Sequence, residues 1–376
     1  MMNVAIITWG DESRVLYDLL HRNGYNVICI VEDNNNKWGL EYKGTPVVSS
    51  GKGVVMFESG SVEKFIVPSL EEHLNYRAAK MLSAYGISLE NLLYAPIETL
   101  KDGLSDDEKI EKICLYTERR ELETMEIHAA EHCNLNCKNC SMFCGLVETG
   151  GFPDYQEFEI GIKKLKCFFP HIKKFRIIGG EPLLNPELAK FIRLIRKVYP
   201  FTDIRLISNG ILVKKMSDSL VQTIIDNDVT FIVTQYISLK HSIDDINKFL
   251  SKTGMRYIVT EAVLEFQKIY NASGNSDIEE NFCRCHWKGS CATMYGTKIA
   301  TCYVPFVIHY LSEKFGLSIE ESGKIDLMEE GLTAQEIVRR MHTPFDMCRY
   351  CAPKGNWSEW ERLEDKNNTT IQDWSI

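Results

Sequence analysis

The sequence predicts an α/β protein in three parts: a small Rossmann-like domain, a partial parallel β/α barrel, and an irregular, cysteine-rich C-terminal extension. Three observations predict it. Short apolar runs alternate with helical stretches near the N-terminus, the alternation restarts at Glu123, and beyond Asn281 it gives way to irregular sequence carrying six cysteines between Cys283 and Cys351. Strands separated by helices favour parallel pairing with right-handed crossovers, because a parallel neighbour is reached only by crossing over the sheet.

The first part, residues 1–95, shows strand signals at Val4 to Thr8, Val27 to Val31, Val54 to Phe57 and Phe65 to Pro68. A helix is expected from Ser13 to Asn23, and a second helical stretch from Glu71 to Tyr85 closes the domain. The stretch from Pro96 to Arg120 is charged and lacks clear strands, which places a linker at 96–121. The barrel is expected over 122–280, with strands at Thr124 to Ala129, Phe175 to Ile178, Ile204 to Ser208, Thr230 to Gln235 and Arg256 to Thr260. Helices lie between them, among them Pro186 to Val198 and Ile243 to Ser251. In such a barrel the functional groups sit at the C-terminal ends of the strands. The extension spans 281–360, and the tail 361–376, rich in Asn, Thr and Asp, is expected to fray.

Charge and composition narrow the function. Lys and Arg number 43 against 52 Asp and Glu, a formal net charge of -9, so the basic face of a nucleic-acid binder is not expected. No apolar run is long enough to span a bilayer, and MMNVAIITWG lacks the charged start and apolar core of a signal peptide. A cytoplasmic protein without a membrane partner is the expectation. Thirteen cysteines, odd in number and clustered, point to metal ligation rather than disulfides.

Cys133, Cys137 and Cys140 form C-x3-C-x2-C directly after the first barrel strand. Three thiolates leave one iron of a cubane without a protein ligand, and catalysis at a metal needs such an open position. Structural zinc sites usually offer four ligands in CxxC pairs; in that alternative His132 or Cys144 is the fourth ligand. Two further motifs end the next two strands: Gly179, Gly180, Glu181 and Pro182, and then Ser208, Asn209 and Gly210. Read separately, each is also an ordinary strand-to-helix turn.

In this order the three motifs resemble the radical SAM superfamily. The resemblance implies a partial (β/α)6 barrel and a [4Fe–4S] cluster on Cys133, Cys137 and Cys140, with S-adenosylmethionine (SAM) at the open iron. It also implies that Gly179, Gly180, Glu181 and Pro182 contact the SAM methionine, and that Ser208 and Asn209 face its ribose and carboxylate. One departure is visible: the family often carries an aromatic residue just before the third cysteine, and here that position is Asn139. Phe143 is the nearest substitute, although a core role is the ordinary one for a phenylalanine.

The stretch from Cys285 through Gly296 to Cys302, followed by Cys348 and Cys351, resembles the SPASM or shorter Twitch extension, which holds an auxiliary iron–sulfur cluster. The resemblance implies one auxiliary [4Fe–4S] cluster on Cys285, Cys302, Cys348 and Cys351, with Cys291 competing with Cys285 and a zinc site as the alternative. Cys29, Cys114 and Cys167 read as inert core residues.

In the N-terminal part, Gly10 follows the first strand and Glu32 and Asp33 end the second, but TWGDES has one glycine where a dinucleotide loop has three. The segment resembles the UDP-sugar-binding domain of sugar O-acyltransferases in IVEDNN and YKGTPVV, with a docking or dimerisation domain as the alternative. Together the resemblances imply reductive cleavage of SAM to a 5′-deoxyadenosyl radical and hydrogen abstraction from a carbohydrate or nucleotide-sugar. Dehydrogenation, epimerisation and dehydration all remain open, as does the hydrogen-returning residue. A one-electron reductant such as flavodoxin or ferredoxin is implied as partner. A peptide substrate is the second reading, and a non-catalytic iron–sulfur or zinc protein the third.

Overall fold

The computed structural model describes residues 2–70, 72–147, 151–239, 241–285, 291–352 and 354–376. Two compact units divide the chain, Met1–Glu121 and Leu122–Ile376. No described helix is long and apolar enough to cross a membrane.

The first unit runs β1 (Asn3–Ile7), α1 (Asp11–Arg22), β2 (Asn26–Val31), β3 (Glu41–Tyr42), β4 (Thr45–Val48), α2 (Ser50–Glu58), β5 (Lys64–Pro68), α3 (Glu72–Ala84), β6 (Leu92–Ala95), α4 (Asp106–Ile110) and β7 (Cys114–Leu115). Its strands form one sheet in the order β3-β4-β2-β1-β5-β6-β7, parallel from β4 to β6 with antiparallel edges. Alternation along β1 sends Val4 and Ile6 into one apolar layer and Ala5 and Ile7 into the other. Both faces are thereby buried, as a parallel sheet requires. The strand order reverses at β1, which places a ligand-sized crevice beyond the C-terminal ends of β1 and its neighbours.

Two expectations change in this unit. Val54 to Phe57, read as a strand, lies in α2, whose start is capped by Ser49 accepting from Lys52 N at 3.3 Å. A four-residue apolar run is too short to show a helical or a strand period. Residues 96–121, read as a linker, fold into the unit: Leu100, Ile110 and Ile113 pack on the apolar layer containing Val4 and Ile6, and β7 pairs with β6. Those apolar residues are scattered among charges, which hid them from a compositional reading. The helical stretch expected from Glu71 is α3; Glu71 itself lies outside the described residues.

The second unit contains β8 (Glu121–Ala130), α5 (Tyr155–Phe168), β9 (His171–Gly179), α6 (Leu188–Val198), β10 (Asp203–Ser208), α7 (Asp218–Asp226), β11 (Val229–Val233), α8 (Ile243–Leu250), β12 (Tyr257–Val259), β13 (Glu265–Gln267), α9 (Ile278–Arg284), β14 (Ala292–Tyr295), β15 (Lys298–Ala300), α10 (Val304–Phe315), β16 (Ile325–Asp326), α11 (Ala334–Met341) and β17 (Trp357–Glu359). The main sheet has the order β12-β11-β10-β9-β8-β14-β15-β16, and β9 to β12 pair in parallel. The five expected barrel strands are β8 to β12.

No break falls at 280/281. β14 pairs in parallel with β8 and contributes Ala292 and Met294 to the core that holds Met125 and Ile127. The tail is not frayed either: Trp374 is only 1% exposed and packs on Phe143, and Ile376 N donates to Tyr270 O at 2.9 Å. Two apolar anchors, Ile371 and Trp374, outweigh the polar composition around them.

Candidate functional site

β8 ends at Ala130 and hands the chain to the loop carrying Cys133, Cys137 and Cys140. Asn136, Asn139 and Phe143 turn this loop with φ of 61°, 59° and 53°, a left-handed conformation that asparagine tolerates better than most residues. The end of β9 fixes where the loop sits. Gly180 N donates to Ala130 O at 2.7 Å, and Glu181 N donates to His132 O at 3.1 Å. A Cβ on Gly179 would lie 2.2 Å from Ala130 O, and one on Gly180 1.9 Å from His132 O. Both positions therefore require glycine for the strand end to meet the cysteine loop at all.

Cys133, Cys137 and Cys140 line a cavity of about 370 Å³ together with Gly179, Gly180, Ser208 and Asn209. Glu181 and Pro182 do not line it. The Glu181 side chain is fully buried, and its carboxylate accepts from Leu183 N at 3.0 Å, Ser208 Oγ at 2.9 Å and Asn209 N at 2.7 Å. Burial raises its pKa to about 7 in spite of these donors. Glu181 thus ties the end of β9 to the end of β10, a structural task that a reading by motif did not foresee.

Leu135 N donates to Cys133 Sγ at 3.4 Å, and two side-chain N–H groups also point at the thiols. Asn209 Nδ2 donates to Cys133 Sγ at 3.3 Å and to Asn134 Oδ1 at 2.8 Å, and Trp360 Nε1 donates to Cys137 Sγ at 3.2 Å. Burial pushes the Cys133 thiol up to about 11 and Cys137 higher still, while a hydrogen bond from Cys144 holds Cys140 below its ordinary value. Cys144 lines the same cavity and His132 does not.

A [4Fe–4S] cubane fits this donor set. Buried thiols become thiolates beside positive charge, and Arg176 is the one charged side chain among the described residues lining the cavity. That guanidinium is already paired with Glu126 at 2.9 Å, so the compensating charge has to arrive with the bound group. Among the described residues no three His, Cys, Asp or Glu side chains converge on a single metal position. A cubane needs no such point, since each cysteine sulfur binds a different iron.

Asn139 lies in the cavity wall with Nδ2 donating to Ser358 Oγ at 2.7 Å. Phe143 is buried in the core against Tyr270 and Trp374 and does not reach the cavity. Aromatic surface comes instead from Tyr236 and Phe266, whose rings meet edge to face at 6.0 Å, with Trp360 against Tyr236 at 5.9 Å. No local pattern marks these three residues, because each belongs to a different segment.

A second cavity is lined by Cys285, Cys302, Cys348 and Cys351. Asn281 Nδ2 clamps the CxxC turn by donating to the carbonyls of Cys348 and Cys351 at 2.8 and 2.7 Å. Cys291 is elsewhere: it is buried beside Glu126 and Arg176 just before β14, and burial pushes its thiol up to about 12. Between the two competing cysteines, the structure brings Cys285 to the other three thiols and leaves Cys291 out. Residues 286–290, which join them, lie outside the described residues.

In the first unit a cavity of about 650 Å³ opens at the ends of β1 and β2, lined by Trp9, Gly10, Glu32, Asp33, Lys37 and Arg77 among others. The Glu32 carboxylate accepts from Trp9 N, Asn34 N and Lys37 Nζ at 3.1, 3.0 and 3.1 Å. Burial alone would raise its pKa, but these donors hold it below the ordinary value.

Residues 127–276 match the family model described as Radical SAM superfamily. The chain is 28% identical over 144 residues to a GTP 3′,8-cyclase of Sulfurimonas denitrificans, covering 35% of this chain and 44% of that protein. It is 29% identical over 171 residues to a probable GTP 3′,8-cyclase of Methanococcus aeolicus, covering 44% and 56%. The chain thus spans about half the length of these curated relatives. Among solved structures, that of BtrN in complex with AdoMet and 2-DOIA is similar with a TM-score of 0.40 and 17% identity, over 61% of this chain and 92% of BtrN. With its thiol triplet in place at the end of β8, the segment 127–276 is a radical SAM superfamily domain.

Proposed function

We propose that this chain is a radical SAM enzyme that holds a [4Fe–4S] cluster on Cys133, Cys137 and Cys140 and acts on an uncharged, hydroxyl-bearing substrate, a carbohydrate or the sugar part of a nucleotide-sugar. One observation carries the proposal: a single cavity joins the three thiols to Gly179, Gly180, Ser208 and Asn209. When bound, the cluster and SAM supply one electron and a 5′-deoxyadenosyl radical able to take a hydrogen atom from an unactivated carbon. The chain's own residues orient and enclose. Asn209 and Trp360 fix two of the thiols, Gly179 and Gly180 seat the cysteine loop, and Tyr236 and Phe266 wall the cavity against water.

The lining also supports the substrate class. Phosphates are ordinarily gripped by several cations, whereas the described residues here offer a single one, Arg176, held by Glu126 at 2.9 Å. A neutral polyol, held by groups such as Thr234, Gln267 and Tyr236, suits this wall better. The relatives named GTP 3′,8-cyclase favour a second reading, in which a nucleotide is the substrate.

In this proposal Cys285, Cys302, Cys348 and Cys351 carry one auxiliary [4Fe–4S] cluster, and a flavodoxin or ferredoxin delivers the electron. The cavity at β1 and β2 receives a nucleotide-sugar, with Leu70, Leu74 and Met81 as its apolar floor and Asp33, Lys37 and Arg77 as polar partners.

Anaerobically reconstituted protein given dithionite and SAM is expected to release 5′-deoxyadenosine, and Cys133→Ala to release none. Unchanged release by Cys133→Ala overturns the assignment. Incubation with deuterated sugar, nucleotide and peptide pools then identifies the substrate by label transferred into 5′-deoxyadenosine. Label from the nucleotide base or from a peptide, with none from any sugar, rejects the carbohydrate reading.

A further inference from the structure

The C-terminal segment from Trp357 to Ile376 is hydrogen-bonded along the cysteine loop at the two neighbours of Cys137 and at the residue before Cys140. Lys138 N donates to Glu361 O at 2.9 Å, Leu363 N to Asn136 O at 2.8 Å, and Asn139 N to Asp373 O at 3.0 Å. The Lys138 ammonium lies 3.1 Å from both the Glu361 and the Asp373 carboxylates. Trp374 anchors the segment against Phe143, two residues before the chain ends. Within this strap Trp360 is half-buried, its ring against Tyr236 and its backbone N–H donating to Leu264 O at 2.7 Å. The indole is thereby locked with its Nε1 3.2 Å from Cys137 Sγ.

We infer that Trp360 is a positioning residue that tunes the cluster held by Cys133, Cys137 and Cys140, its N–H···S hydrogen bond to Cys137 making that cluster easier to reduce. The inference rests on the proposed cluster site. The physical reason is charge: reduction adds an electron to a cluster whose sulfurs already carry negative charge, and a donor aimed at a sulfur stabilises the more negative state. Asn209 Nδ2 serves Cys133 in the same way at 3.3 Å. An N–H group held by the tail also means that docking of the strap and ease of reduction are linked.

The test uses the full-length, anaerobically reconstituted protein. Trp360→Phe keeps a ring against Tyr236 and deletes the N–H. In an EPR-monitored redox titration without SAM, its ratio of reduced to oxidised cluster at a fixed potential is expected to fall about tenfold, a shift of about 59 mV for one electron. Trp360→His, which restores a ring N–H, is expected to recover part of that shift. A titration curve for Trp360→Phe that overlays the wild type, with the same iron content, overturns the inference while leaving the cluster assignment intact.

A second measurement needs no variant. Wild-type protein labelled with indole-¹⁵N tryptophan is expected to show a ¹⁵N hyperfine coupling to the reduced cluster in ENDOR spectra. Its absence from a fully loaded sample overturns the inference even where Trp360→Phe fails to fold. Failure to load any cluster rejects the underlying site as well.

Discussion

Replacing Gly180 by alanine probes the cysteine loop through a single methyl group. The new Cβ would fall 1.9 Å from His132 O, 2.3 Å from His132 C and 3.0 Å from Cys133 N, all backbone atoms with no side chain to swing aside. Either β9 or the loop must move. Overpacking of this kind costs about 1–3 kcal/mol, and the shift strains two hydrogen bonds, Gly180 N to Ala130 O and Glu181 N to His132 O, worth about 1 kcal/mol each. A total of about 3–5 kcal/mol is a large share of the roughly 5–15 kcal/mol that holds an ordinary domain together. At about 2–4 °C per kcal/mol for a unit of this size, the apo protein should melt roughly 10 °C lower. Since the displaced atoms are the backbone of Cys133 and its neighbour, iron content after reconstitution should fall further than stability alone explains. Calorimetry of the apo protein and iron analysis of the reconstituted protein measure the two effects. Gly51→Ala in α2, where the nearest atom is Tyr85 Oη at 3.6 Å, is the control: it should leave iron content unchanged and should not lower the melting temperature, since alanine favours a helix over glycine. A Gly180→Ala protein that melts with the wild type and loads a full cluster refutes the reasoning.

Two further outcomes follow from the same geometry. Asn281→Ala removes both hydrogen bonds to the Cys348 and Cys351 carbonyls, a loss of about 1–3 kcal/mol; it should lower iron at the second cavity while 5′-deoxyadenosine formation from SAM persists, and unchanged iron stoichiometry would show that the clamp is dispensable. Glu126 has its pKa raised from 4.5 to about 7 by burial, which outweighs the pull of Arg176. The folded chain then keeps a proton between those values that the unfolded chain has released, so this contribution is fully present below pH 4.5 and is lost as pH rises through about 7, about 3 kcal/mol in all. Urea unfolding of the apo protein at pH 5 and pH 7.5 should show that fall, and Glu126→Gln should flatten it; equal slopes in the two proteins reject burial as its cause.

Much of the fold was legible because it rests on local patterns. The five strands β8 to β12 each announce themselves as an apolar run in an alternation with helical stretches that restarts at Glu123, and the cysteine triplet is a matter of covalent spacing. The errors have the opposite character. Val54 to Phe57 was too short to show a period, so the cap at Ser49 decided for helix. Residues 96–121 and the tail looked polar because a few apolar anchors, among them Ile110, Ile113 and Trp374, were diluted by their neighbours.

At the site the division is the same. By itself the sequence determined that three thiols follow β8 with one ligand too few for four irons, and that Gly179 to Pro182 and Ser208 to Gly210 end the next two strands. Chemistry of this kind is carried by residue type and spacing along the chain. Only the tertiary structure decided that Cys285 rather than Cys291 faces Cys302, Cys348 and Cys351, that Glu181 braces β9 to β10 behind the cavity wall, and that Trp360 reaches Cys137 from 223 residues away. Those outcomes depend on which distant segments share one packed core, and no local pattern encodes that.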